Sequence, residues 1–380
     1  MNFFLLSAIK AAGVAAFLLL TLLYLQWVER KVIAHVQVRI GPSRVGPHGL
    51  LQPLADTLKL LLKEDVTPRQ VNKFLYLLAP FLAVTLSLVS IAVIPFGPEV
   101  EVAGIRTWMQ LADLDIGVLF VLAVSAMSVY AVVLAGWASN SKYPLLGGLR
   151  SSAQMVSYEL PLALAVAAPL LLANSLSLRE IVTSQGGWYF GLLPQWNVFR
   201  LPAPQLLSFL IFLVAAFAET NRTPFDLPEA ENELVAGFHV EYSSLKFAAF
   251  FMAEYANMIT VCAMAALLFL GGWQPLFPAA YGSNFVPGLV FAVAGAVALY
   301  HGLHPVRARD RRTLPVAAAA FFGLALLFAA PPLQPVLAPL FWFVAKVGLL
   351  LFLFMWVRAT LPRFRYDQLM RFAWSFMFPV

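Results

Sequence analysis

The residues best suited to chemistry lie in the run AETNRTPFDLPEAENELVAGFHVEYSS. Between Glu219 and Glu241 it sets six acids (Glu219, Asp226, Glu229, Glu231, Glu233 and Glu241) against one base, Arg222, a net charge of −5. A solvated loop is the usual home of such a run. Here Pro224, Phe225, Leu227, Pro228, Leu234, Val235 and Phe238 interleave the acids, which is poor composition for a solvated loop. Carboxylates crowded against apolar surface cannot all stay ionised, so some should titrate closer to neutrality. Groups that exchange protons near pH 7 are what a proton relay needs.

Other ionisable residues fall inside long apolar runs, where each costs about 2.5–3.5 kcal/mol on insertion scales. They are Glu254 with its neighbour Tyr255, Glu159 in SYE, Lys346 and Lys10. Glu159 and Lys346 stand near the ends of their runs, so snorkelling to an interface competes with a functional role, and Lys10 is expected to snorkel outward. Glu254 has no such explanation. No Gly-rich phosphate loop and no GxGxxG follow a strand pattern. The histidines (His35, His48, His239, His301, His304) are scattered, and His301 with His304 lacks a third ligand for a metal. The single cysteine, Cys262, excludes disulfides within the chain and thiolate clusters. Any redox chemistry must therefore use a cofactor held by another chain.

These residues must be positioned by helices in a bilayer. Of 380 residues 61% are hydrophobic and 12% charged, half the roughly 25% charge of soluble domains. With a mean hydropathy of +0.81, a soluble or disordered chain is excluded, and the apolar runs are too long for a barrel of alternating strands. The expected fold class is all-α, a polytopic membrane protein forming one membrane domain over residues 1–380. Nine spans are read: Phe3–Trp27, Phe74–Pro95, Ile116–Ala138, Ala153–Ala173, Gln205–Glu219, Lys246–Gly272, Phe285–Leu303, Leu314–Ala330 and Leu340–Val357. The Gln205 span is short and should extend into its flanks.

Lys and Arg are unevenly shared between the spans. The loop Val28–Lys73 carries Arg30, Lys31, Arg39, Arg44, Lys59, Lys63, Arg69 and Lys73, whereas Phe96–Asp115 carries only Arg106 against four acids. Arg307, Arg309, Arg311 and Arg312, and then Arg358, Arg363, Arg365 and Arg371, fall on the first side. The positive-inside rule makes that side the cytoplasm, the N-terminus external and the C-terminus internal. The first segment lacks a basic n-region and a cleavage site, so it reads as a span and not a removed signal peptide. High alanine content points to a bacterial source, hence the plasma membrane, while a mitochondrial inner membrane would give the same charge pattern.

Within residues 28–73, Leu50, Leu51, Leu54, Leu58, Leu61 and Leu62 form an apolar stripe at helical spacing, opposite Asp56, Lys59 and Lys63. This predicts an amphipathic helix lying at the membrane surface. The basic turn around Gly41, Pro42, Gly46 and Pro47 precedes it.

Three runs carry a family resemblance: ERKVIAHVQVRIGPSRVGPHGLLQPLADTLKLLLKED, AETNRTPFDLPEAENELVAGFHVEYSSLKFAAFFMAEY and WVRATLPRFRYDQLM. Together they resemble the H subunit of respiratory complex I, the proton-translocating NADH:quinone (ubiquinone) oxidoreductase. The likeness covers about residues 1–275 and 340–375. It implies a place where the peripheral redox arm meets the membrane arm, with quinone as substrate and FMN and iron–sulfur clusters in partner subunits. The implied partners are the peripheral-arm quinone-site and iron–sulfur subunits, small membrane subunits, antiporter-like subunits and the lipid bilayer, and no nucleic acid. By resemblance, Arg30, Gln37, Arg39, Asp56, Glu64, Arg222 and Asp226 would line or support the quinone cavity. A funnel of Glu219, Glu229, Glu231, Glu233, Glu241, Glu254 and Tyr255 would lead on from it. Glu159 would continue the path, with Arg358 and Arg363 as countercharges.

The sequence departs from the family pattern in three places. Ser43 stands where the GPNRVGP turn usually has Asn. Residues 279–335 look like an inserted helix pair joined by RARDRR, and the usual further helix after RYDQLM is missing. The nearest alternative is the homologous membrane subunit of an energy-converting hydrogenase, which a nickel-containing partner would indicate. The completeness of ERK…GPSRVGP and RYDQLM favours complex I. A stand-alone proton-coupled transporter also suits intramembrane acids, but no inverted repeat is visible.

Overall fold

The computed structural model describes residues 3–102, 104–191, 193–226, 235, 237–305 and 310–380. In chain order the helices are α1 (Phe3–Val36), α2 (Gln52–Leu62), α3 (Lys73–Ile91), α4 (Gly117–Ala138), α5 (Lys142–Ala173), α6 (Leu178–Ser184), α7 (Leu206–Glu219), α8 (Ser244–Phe269), α9 (Val286–Leu303), α10 (Asp310–Ala329), α11 (Gln334–Thr360) and α12 (Tyr366–Phe372). Apolar segments adopt this form because a helix satisfies its own backbone groups where water is absent. Among the described residues, eight helices are long and apolar enough to cross a membrane, and α7 is a shorter apolar helix. The all-α polytopic membrane fold is borne out. Two short antiparallel hairpins are added to it: β1 (Gly97–Val102) with β2 (Ile105–Met109), and β3 (Trp188–Tyr189) with β4 (Leu193–Pro194).

Helix α8 is the centre of the bundle, with every residue from Met258 to Phe269 buried. Its Ala263, Ala265 and Ala266 let neighbouring helices approach closely, as small residues do in membranes. Helices α3, α7 and α11 pack against it, α4 and α5 continue the layer from α3, and α1 packs on α11. Helices α9 and α10 pack chiefly on each other.

Several expected boundaries are corrected. Helix α1 runs past Trp27 to Val36, so Arg30 and Lys31 are helical, not part of a loop. Charged residues end an apolar run without ending a helix, because Glu, Arg and Lys are good helix formers. Helix α5 likewise starts at Lys142, well before Ala153. A Cβ at its Gly147 would lie 2.8 Å from the backbone of Gly237, so glycine there admits the turn Gly237–His239 against the helix.

The short span does not extend into its flanks. Helix α7 has 14 residues, about 21 Å at 1.5 Å per residue, against roughly 30 Å of hydrocarbon. Residues 220–226 continue it as non-helical chain inside the bundle, which is tolerated only where protein satisfies the backbone. Gln154 of α5 does this, its Nε2 donating to the carbonyls of Ala218 and Phe225, both at 2.7 Å.

Lys346 does not snorkel. Its buried Nζ donates to the carbonyls of Leu270, Gly272 and Gln274 at 2.6, 2.8 and 2.7 Å, just past the C-terminus of α8, and lies 4.0 Å from the Trp196 ring centroid. A cation is favoured at that helix end. Lys10 reaches the β1–β2 hairpin, donating to Thr107 Oγ1 and the Trp108 carbonyl. Helix α2 leaves Leu54, Leu58, Leu61 and Leu62 exposed, a stripe suited to lipid, while Asp56 turns inward to Arg30 of α1. In the turn before α2, Gly49 has φ +80°, and a Cβ there would stand 2.3 Å from the Pro42 carbonyl oxygen.

Candidate functional site

The non-helical stretch after α7 delivers Arg222 and Asp226 to the middle of the bundle. Arg222 Nη1 lies 3.1 Å from Glu29 Oε1 of α1, and its Nε lies 2.7 Å from Glu254 Oε1 of α8. The Nε contact is an ion pair without an aligned hydrogen bond, and Nη2 has no hydrogen-bond partner among the described residues. The guanidinium also lies over the Tyr255 ring, 4.4 Å from its centroid. Tyr255 in turn donates its hydroxyl to Glu29 Oε2 at 2.5 Å. Arg358, in the last turn of α11, donates to the same Glu29 carboxylate.

Just beyond α11 the chain pairs with residues 224–226. Phe364 N donates to the Pro224 carbonyl at 3.1 Å, and Arg363 Nη2 meets Asp226 Oδ2 at 2.8 Å. Phe225 is wedged between Phe364 and Tyr158. The other Asp226 oxygen, Oδ1, is buried without a hydrogen-bond partner among the described residues. Three carboxylates (Glu29, Asp226, Glu254) thus face three guanidinium groups (Arg222, Arg358, Arg363). The balance explains how so many charges persist where isolated ones would be expelled.

Electrostatics follow from this placement. Flanked by Glu29 and Glu254, the Arg222 guanidinium stays a permanent cation. His239, buried in the Gly237–His239 turn, is held down to about 4 by desolvation and stays neutral near pH 7.

A cavity of about 60 Å³ links Glu254 to Glu219. Ser128, Asn221, His239 and Asn257 supply polar wall atoms, and the volume is enough for a few waters. Past the cavity, Glu219 accepts a hydrogen bond from Ser125 of α4 and feels the charge of Glu159 of α5. The order is Glu29, Arg222, Glu254, cavity, Glu219, Glu159.

The structure brings together Arg222, Asp226, Glu254, Tyr255, Arg358 and Arg363, with Glu219 and Glu159 in succession. Arg30 and Asp56 form a separate pair at 2.8 Å, with Gln52 also donating to Asp56. Gln37, Arg39 and Glu64 are exposed beyond the ends of α1 and α2. Glu241 stands apart from the cluster, its carbonyl taking the Tyr76 hydroxyl. Glu229, Glu231 and Glu233 lie outside the described residues. Among the described residues no group of three or more His, Cys, Asp or Glu could hold a metal ion. Sequence reasoning missed Glu29, Gln154, Ser125 and His239 as members of the site. Glu29 opens the ERK run, just past the apolar end of α1.

Residues 9–380 match the NADH dehydrogenase family. The chain belongs to this family. An H subunit of the NADH-quinone oxidoreductase of Solibacter usitatus is 64% identical over 379 residues, covering 100% of this chain and 94% of that protein. The corresponding H subunit from Koribacter versatilis is 47% identical, over 100% and 94% of the two chains. One from Geobacter metallireducens is 44% identical, over 100% and 93%. The resemblance to the H subunit of complex I is thereby borne out. As a family member the chain contributes a membrane subunit, and its helices make it multi-pass.

Proposed function

We propose that this subunit walls part of a quinone cavity and couples quinone reduction to proton translocation through its buried carboxylates. The observation that carries the reading is the charged path from Glu29 through Arg222 and Glu254, across a largely apolar cavity with a few polar wall groups, to Glu219. Such a path is costly in lipid and has no purely structural need for acids that lack countercharges at its far end. Among the described residues, Glu219 has a hydroxyl and another acid beside it and no ion pair with a cation.

The Arg30–Asp56 pair and the exposed Gln37, Arg39 and Glu64 would form the mouth of the cavity, next to the lipid-facing leucines of α2. Arg222 and Asp226 would close its inner end. Among the described residues, Arg222 Nη2 and Asp226 Oδ1 offer a free donor and a free acceptor there, and buried groups of this kind ordinarily find a partner. Iron–sulfur clusters and FMN in partner subunits would supply the electrons when the complex is assembled. A carboxylate taking up or losing a proton near Arg222 changes the field at its neighbours, and coupled groups respond together. The change would pass to Glu219 and Glu159, and on to antiporter-like partners. By resemblance Glu229, Glu231 and Glu233 would belong to the same funnel. The basic face of α1 and α2 would be cytoplasmic, in a bacterial plasma membrane, with the N-terminus periplasmic.

The test is Glu254→Gln in the assembled complex in proteoliposomes. Inhibitor-sensitive NADH:quinone reduction and proton uptake should both fall by at least about tenfold, as when a positioned proton-transfer group is lost. Unchanged rates of both would refute the reading.

A further inference from the structure

Two crevices on the face that carries α2 meet at a single residue. One, of about 300 Å³, lies between the end of α1 and the turn that follows, lined by Lys31, Arg39 and His48 among others. The second, of about 480 Å³, follows the seam of α9 and α10 along Val297, Ala298 and Leu314. Asp310, at the start of α10, lines both. Among the described residues it is the one acid in either wall; His48 Nε2 lies 3.4 Å from its Oδ1, which has no hydrogen-bond partner among them. The first crevice is therefore basic and the second mainly apolar.

Their level in the bilayer matters. The exposed leucines of α2 mark the interface on this face, which puts the basic crevice at the depth of lipid headgroups. The apolar groove runs from there along α9 into the span. A basic pocket between transmembrane helices at the interface is the arrangement that holds anionic headgroups.

We propose that the joined crevices bind one anionic phospholipid beside the proposed quinone mouth, its phosphate at Lys31 and at Arg39, which would border both, and an acyl chain in the α9–α10 groove. Free phosphate would share the charge complementarity but would leave the groove unused, so the lipid is the occupant. Bound there, it would fasten the α9–α10 pair to α1 and to the turn at His48.

The experiment uses the complete complex purified in mild detergent, with phospholipids extracted and counted by mass spectrometry. Lys31→Gln weakens the basic crevice and Ala298→Trp fills the groove. Each variant should carry about one anionic phospholipid fewer than the unaltered complex, and added phosphatidylglycerol should restore only the unaltered, delipidated one. Equal lipid counts in all three, or equal uptake of phosphatidylcholine, would overturn the proposal. Displacement of the lipid by millimolar inorganic phosphate alone would do the same. Should the variants fail to assemble, photoreactive phosphatidylglycerol on the unaltered complex decides the matter. Crosslinks to peptides spanning Ala294–Leu314 support the site, and crosslinks only elsewhere refute it.

Discussion

Arg222 stands between carboxylates from two different helices, 3.1 Å from Glu29 of α1 and 2.7 Å from Glu254 of α8. One guanidinium thus ties the first helix to the central one, with its charge spent on acids that sequence distance keeps far apart. Arg222→Met would leave Glu29 facing only Arg358 and Glu254 without its nearest cation. Removing one partner of a buried ion pair costs about 3–5 kcal/mol, so the complex carrying this variant should unfold at a clearly lower temperature. Adding Glu254→Gln should recover part of the loss, which a double-mutant comparison of unfolding midpoints would reveal.

Glu219 and Asp226, which the structure places in or beside the cluster, stood out in the sequence because their charge contradicted their apolar neighbours. Glu29 did not, since it sits just past an apolar run that hydropathy alone ends at Trp27. Its burial arises from tertiary packing of α1 against α11, which no local pattern encodes. Gln154 was equally hidden. A lone glutamine on a helix has no signal until the short length of α7 is known to leave carbonyls in need of donors. The spans themselves were readable, and their ends were not, because polar residues continue α1 and α5 as helix outside the apolar core.

Tyr255 binds Glu29 through a 2.5 Å hydrogen bond to a charged acceptor. Tyr255→Phe keeps the ring beneath Arg222 but removes that donor, a loss of about 1.5–3 kcal/mol for a hydrogen bond to a charged group. The expected result is a lowered unfolding midpoint together with slower coupled turnover, measured on the same preparation.

Lys346 supplies the contrast. Its ammonium satisfies three carbonyls just past the C-terminal end of α8, away from Glu254. Lys346→Met should destabilise, since each carbonyl left unsatisfied costs about 1–3 kcal/mol. The ratio of protons moved to quinone reduced should stay unchanged in whatever complex assembles. A changed ratio would place Lys346 in the relay.

His239 predicts a pH dependence. Its pKa is held down to about 4 when folded, against about 6.5 in an unfolded chain. Between those values the unfolded state binds the extra proton, so stability is full above pH 6.5 and falls as pH drops toward 4. The linkage amounts to about 3 kcal/mol. His239→Phe fits the surrounding Phe247 and Phe251 rings and should flatten the dependence between pH 7.5 and 5.

Coupling of this kind requires buried carboxylates to change protonation when quinone is reduced. Infrared difference spectroscopy of the complex, recorded on quinone reduction in H2O and D2O, reads this directly. The predicted result is a set of carboxyl C=O difference bands that shift in D2O and are diminished in both Glu254→Gln and Glu219→Gln. A spectrum without carboxyl bands, or one unaltered by both substitutions, would contradict it.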